Sequence, residues 1–152
     1  MVFLSHQVSA NNELYELKKD IGANIFFLRH AIAPGFGDPE NFKLDDCSTQ
    51  RNLSNDGINQ AREISNEFSK YVVKFTKVYS SYWCRCYETV KSMGLKNYQL
   101  HSGLNSFYQN HVSKKEVMKD LNNLISSQTP LSIKFCMVFV PPSTITETIL
   151  SW

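Results

Sequence analysis

The chain has 152 residues, 42% of them hydrophobic and 20% charged, with a formal net charge of +2. That length predicts one domain spanning residues 1–152 with enough chain to bury a core, and the composition is that of an ordinary globular protein. The small charge, with 16 basic residues scattered along the chain, argues against a nucleic-acid or membrane-surface partner, and no window reaches the roughly 18 consecutive apolar residues of a membrane span.

The first ten residues hold the apolar patch Val2-Phe3-Leu4 but neither a basic lead nor a long apolar stretch. They do not read as a secretory signal, so the expected location is cytoplasmic, or periplasmic if a signal is missing from this sequence. Asn11 or Asn12 is predicted to cap a short helix carrying Leu14, Leu17 and Ile21, with Gly22 at its stop. The apolar run Ile25-Phe26-Phe27-Leu28 predicts a buried strand over 24–28, and Arg29 and His30 follow directly. Residues 33–49 contain Pro34, Gly35, Gly37, Pro39 and the pair Asp45-Asp46, which predicts a long loop.

Ser54 is a candidate N-cap with Asp56 in the first turn. Ile58, Ala61, Ile64, Phe68 and Tyr71 then recur at helical spacing and predict an amphipathic helix. A strand is expected over 74–80, and after Ser80-Ser81 a helix from about Trp83 to Met93, closed by Gly94. A short run, Tyr98 to Leu100, follows. Ser113-Lys114-Lys115-Glu116 is a capping box opening a helix whose apolar face is Val117, Met118, Leu121, Leu124 and Ile125. Phe135 to Val140 is a further apolar strand, stopped by Pro141-Pro142. Strands alternating with helices predict a mostly parallel sheet with helices on both faces, a three-layer α/β/α sandwich. Ligands of such sheets bind at the carboxyl ends of strands, where Arg29, His30 and Arg85 fall.

A histidine beside an arginine, at a strand end and before a Gly/Pro loop, suits phosphate chemistry. Neutral imidazole is a nucleophile towards phosphorus, and guanidinium offers a planar fork of donors to phosphoryl oxygens. A second arginine, Arg85, would add to the charge stabilisation on which phosphoryl transfer mostly depends. An isolated Arg-His pair is more often a structural histidine or a surface ion pair. Four cysteines, Cys47, Cys84, Cys86 and Cys136, are too few and scattered for a disulfide scaffold, and none forms a paired zinc-ligand motif. The favoured reading is buried reduced thiols; a disulfide between Cys47 and either Cys84 or Cys86 is the alternative.

The ordered blocks carry more. Leu28-Arg29-His30-Ala31 resembles the signature of the histidine phosphatase superfamily, and Ser80-Ser81-Tyr82-Trp83-Cys84-Arg85 with Thr89 resembles its second block. Leu53-Ser54-Asn55-Asp56-Gly57 with Gln60-Ala61 is similar to the helix start of phosphoglycerate mutase-like members. The loop segments 29–39 and 46–53, Trp83-Cys84-Arg85-Cys86 and Leu104-Asn105-Ser106-Phe107 resemble one bacterial branch, and the likeness runs from about Leu14 to Thr146.

The resemblance implies a phosphotransfer hydrolase in which His30 carries the phosphoryl group and Arg29 and Arg85 clamp it. Asn52 and Ser54 would help orient the substrate. No metal or organic cofactor is implied, and the partner would be a small phosphorylated substrate or a phosphohistidine protein. Oligomeric state is not implied.

Two departures stand against that pattern. The family's general-acid carboxylate has no counterpart in Leu104-Asn105-Ser106-Phe107, which suits a good leaving group, as in short phosphohistidine phosphatases. The family's second histidine, after the last strand, falls at Pro141, which has no side-chain donor and no N–H. Loss of one such donor costs roughly 10²–10³ in rate. His101 and His111 are the candidate substitutes, with exposed loop histidines the favoured reading of both. The resemblance thus also implies an alternative: a degenerate member, with an early end at Trp152, that binds phosphate or a partner without turnover.

Overall fold

A computed structural model describes residues 25–70, 75–127 and the backbone of the strand at 136–140. The predicted N-terminal helix, Tyr71, and the segment from Pro141 to Trp152 lie outside the described residues.

Among the described residues four strands form one parallel sheet: β1 (Ile25–Arg29), β2 (Lys77–Ser80), β3 (Gln99–Leu100) and β4 (Cys136–Val140). Their spatial order is β1-β4-β2-β3. Arg29 is in register with Val140, and Ser80 with both Phe139 and Leu100. All four strands therefore end along one edge, which gathers the segments that follow them. Three α-helices among the described residues complete the layers: α1 (Asn55–Lys70), α2 (Cys84–Ser92) and α3 (Lys114–Ser126).

Strand side chains alternate between faces, so each strand feeds two cores. On one face Val78 packs with Ala61 and Phe68 of α1 and Val90 of α2, joined by Leu28. On the other, Tyr79 packs with Leu121 and Leu124 of α3, joined by Ile25 and Phe27. Helices thus cover both faces, as the alternation of elements predicts.

The caps predicted at Ser54 and Ser113 form. The Ser54 hydroxyl accepts the N–H of Gly57 at 3.1 Å, and that of Ser113 accepts the N–H of Glu116 at 3.4 Å. Gly94 follows α2 with φ +74°, a left-handed stop open to glycine. The loop of residues 33–49 is less plain than its composition predicts. Lys43 bridges to Asp46, and Cys47–Thr49 forms a turn of 3-10 helix capped by Asp46, whose carboxylate accepts the N–H of Ser48.

Candidate active site

His30 stands immediately past β1 and is 6% exposed. Its Nδ1 lies 2.7 Å from the carbonyl oxygen of Ala31. A carbonyl only accepts, so Nδ1 carries the hydrogen and Nε2 bears the free lone pair. Nε2 is buried and has no hydrogen-bond partner. Burial is the main cause that lowers the imidazole pKa to about 4, aided by the charges of Arg85, Arg51 and Arg29; the Ala31 contact opposes them. The ring is therefore neutral near pH 7, with its nucleophilic nitrogen uncommitted.

The segment after His30 is fixed on both sides. The N–H of Ala31 donates to Thr89 Oγ1 at 3.0 Å, and that hydroxyl donates to the carbonyl of Arg85 at 2.7 Å. The N–H of Ile32 donates to Gln60 Oε1 at 2.9 Å, and its carbonyl accepts from the N–H of Ser54 at 3.1 Å. A single buried threonine thus ties the histidine's strand end to the first turns of α2, where Arg85 sits.

Arg85 and Asp38 form a buried ion pair, each side chain 4% exposed. Nη1 reaches Oδ1 at 2.7 Å and Nη2 reaches Oδ2 at 3.1 Å. Asp38 also accepts from the Trp83 indole at 2.9 Å and from the N–H of Arg51 at 3.0 Å. Burial alone would raise its pKa, but these hydrogen bonds together hold it below the usual carboxylate value. Arg85 Nε is buried without a partner. Arg51 donates from Nε to Gly37 at 2.9 Å and from Nη1 to the Ala33 carbonyl, bracing the loop from the inside.

No protein-family model and no curated protein matches the sequence. Solved structures do match. The protein histidine phosphatase SixA complexed with tungstate superposes with a TM-score of 0.58 at 15% identity, over 82% of this chain and 73% of that one. A protein assigned as the phosphohistidine phosphatase SixA of Agrobacterium tumefaciens gives 0.60 at 18%, over 84% and 74%. One from Nakamurella multipartitia gives 0.54 at 17%, over 82% and 62%. The chain has the histidine phosphatase fold.

Within this histidine phosphatase fold the residues named from the sequence divide. His30 and Arg85 are both buried at the strand-end edge and joined through Thr89. Arg29 is exposed. It lines, with His30, Gln60 and Ile64, a hollow of about 380 Å³ that Arg85 does not border. Asn52 is exposed, and its amide donates to the carbonyls of Cys47 at 2.7 Å and Gln50 at 3.1 Å. Ser54 is the α1 cap. His101 accepts the N–H of Gly103 at 3.1 Å, and His111 stacks on Phe42 with ring centroids 4.2 Å apart; neither borders the hollow beside His30.

Asp38, Arg51 and Thr89 fall inside the resembling blocks, but the sequence assigns none of them a contact. Their types carry no signal in a loop or helix until the fold sets them against Arg85. The favoured reading of reduced thiols is corrected at one pair: Cys47 and Cys84 form a disulfide, with Tyr87 Oη 2.6 Å and 3.1 Å from the two sulfurs. Cys86 is free and fully buried, and burial pushes its thiol up to about 12. Among the described residues no group of three or more His, Cys, Asp or Glu side chains could hold a metal ion, and no helix is long and apolar enough to cross a membrane.

Proposed function

We propose that this chain is a histidine phosphatase-like hydrolase of a phosphorylated substrate, a small molecule or a phosphohistidine protein such as the names of its structural neighbours describe. The observation that carries the reading is the neutral, buried His30 with an unpartnered Nε2 among three arginine charges. In this reading Nε2 attacks phosphorus in line, a P–N bond forms, and the bond to the leaving group breaks with its electron pair leaving on that group. Water then attacks the phosphohistidine, releasing orthophosphate and regenerating neutral His30. Arg29 and Arg85 hold the phosphoryl oxygens. Asn52 and Ser54 act at one remove, through the loop backbone and the α1 cap.

Asp38 is not the missing acid. Four donors hold it as a carboxylate, so the leaving group takes its proton from water or already carries it, as an imidazolium leaving group would. One observation favours a second reading, that of a phosphate-binding member without turnover: both Nη atoms of Arg85 are already engaged by Asp38. The substitution of Pro141 for the family's second histidine points the same way, and Pro141 lies outside the described residues.

The test incubates the protein with an aryl phosphate and with a phosphohistidine peptide, beside His30→Ala. The hydrolase reading expects turnover that vanishes in His30→Ala, with an acid-labile phosphoryl group trapped on the wild-type chain. Equal rates in both proteins sink it. Orthophosphate binding that is lost in Arg85→Ala, with no turnover in either protein, establishes the second reading.

A further inference from the structure

The two orphaned nitrogens at the strand-end edge, His30 Nε2 and Arg85 Nε, define what Asp38 does. A guanidinium has five N–H donors in a rigid plane, and fixing two of its nitrogens fixes the direction of the third. Asp38 takes Nη1 and Nη2 end-on, which leaves Nε buried and unpaired. A buried donor without a protein acceptor is costly, and a bound ligand or ion is one of the groups that satisfies such a donor.

The carboxylate is itself over-determined. The Trp83 indole and the Arg51 N–H orient it from two further sides. Gln109 grips its backbone from outside, accepting the Asp38 N–H at 2.7 Å and donating to its carbonyl at 3.3 Å. Gly37 lets Gln109 come that close: a Cβ there would stand 2.9 Å from its Oε1.

We infer that Asp38 is a positioning residue that locks the Arg85 guanidinium with Nε facing the phosphoryl group that His30 receives. This rests on the hydrolase reading above. The competing view of the same contacts is that Asp38 is a built-in competitor, a carboxylate that substrate must displace from Arg85. The two predict opposite signs. Removing a positioning residue lowers kcat, because a donor misplaced by an ångström costs up to about 10²-fold, while removing a competitor lowers KM and raises turnover.

The experiment compares Asp38→Asn, which keeps the volume and removes the charge, with wild type, Arg85→Ala and the double variant on an aryl phosphate. The expected result is a kcat reduced roughly ten- to a hundred-fold with KM changed less than about threefold. Asp38→Asn should then add almost nothing in the Arg85→Ala background, since both act through one guanidinium. A loss that multiplies undiminished in that background, unchanged kcat, or a lowered KM with faster turnover overturns the inference.

If Asp38→Asn fails to fold, the exposed Gln109→Ala carries the test, with the same kcat-selective loss at a few-fold. If wild type shows no turnover the hydrolase reading falls, and orthophosphate titration decides. Binding weakened about tenfold or more by Asp38→Asn keeps the positioning role. Binding that is unchanged, tightened, or absent in wild type removes it.

Discussion

Reducing the Cys47–Cys84 disulfide should destabilise the fold by an amount its position sets. The bridge spans 37 residues of sequence and joins the 3-10 turn after the Pro/Gly loop to the first residue of α2. In the chain-entropy account, releasing a loop of that size returns about 4 kcal/mol of freedom to the unfolded chain. For a domain of about 150 residues each kcal/mol moves the melting temperature by roughly 2–4 °C, so the reduced protein should melt about 8–16 °C lower.

Calorimetry with and without a thiol reductant measures it, and Cys47→Ala supplies the same loss without chemistry. That variant should melt low and ignore reductant, whereas Cys86→Ala should keep the reductant-sensitive shift. Four cysteines are present, so thiol titration of the denatured, unreduced chain should fall short of four. Four reactive thiols, or a melting point that reductant leaves unmoved, would refute the reasoning.

The pH dependence of stability should carry the signature of His30. Its folded pKa of about 4 lies below the ordinary 6.5, so between those values the unfolded chain binds more protons and stability rises with pH. Conversely, stability is lost as pH falls from about 6.5 to 4, by up to about 3 kcal/mol, and this loss should be absent from urea melts of His30→Asn. Thr89→Val removes the acceptor of the buried Ala31 N–H and should cost about 1–3 kcal/mol in the same melts; a neutral result would mean that the strand end is held by something else. Gly57→Ala would stabilise a free helix by roughly 0.5–1 kcal/mol, but a Cβ there falls 2.1 Å from the Ile32 carbonyl oxygen. Equilibrium unfolding should therefore show a loss, and a gain would contradict the close packing of α1 on the segment after His30.

Much of the scaffold is local chemistry and could be read directly. Ser54 and Ser113 are caps because their hydroxyls satisfy N–H groups three residues on, and Gly94 ends α2 because its φ is positive. The apolar runs became β1 and β4, and the periodic stripes became the buried sides of α1 and α3. His30 and Arg85 could be found because each directly follows a strand or its turn, a position that fixes where a side chain emerges.

What the loop between β1 and α1 does was not readable in the same way. Its composition showed a loop and its blocks showed a resemblance, but the partners of Asp38 lie far along the chain: it meets Arg85 across 47 residues and Trp83 across 45.

By itself, then, the sequence determined the alternation of elements, the starts of the described helices and the strand-end position of His30, all properties set by a residue and its near neighbours. Only the tertiary structure decided that β4 inserts between β1 and β2, which cysteines pair, and which carboxylate holds Arg85. Those are contacts between segments far apart in the chain. Their energies come from burial and from ion pairing that exist only once the segments are packed together.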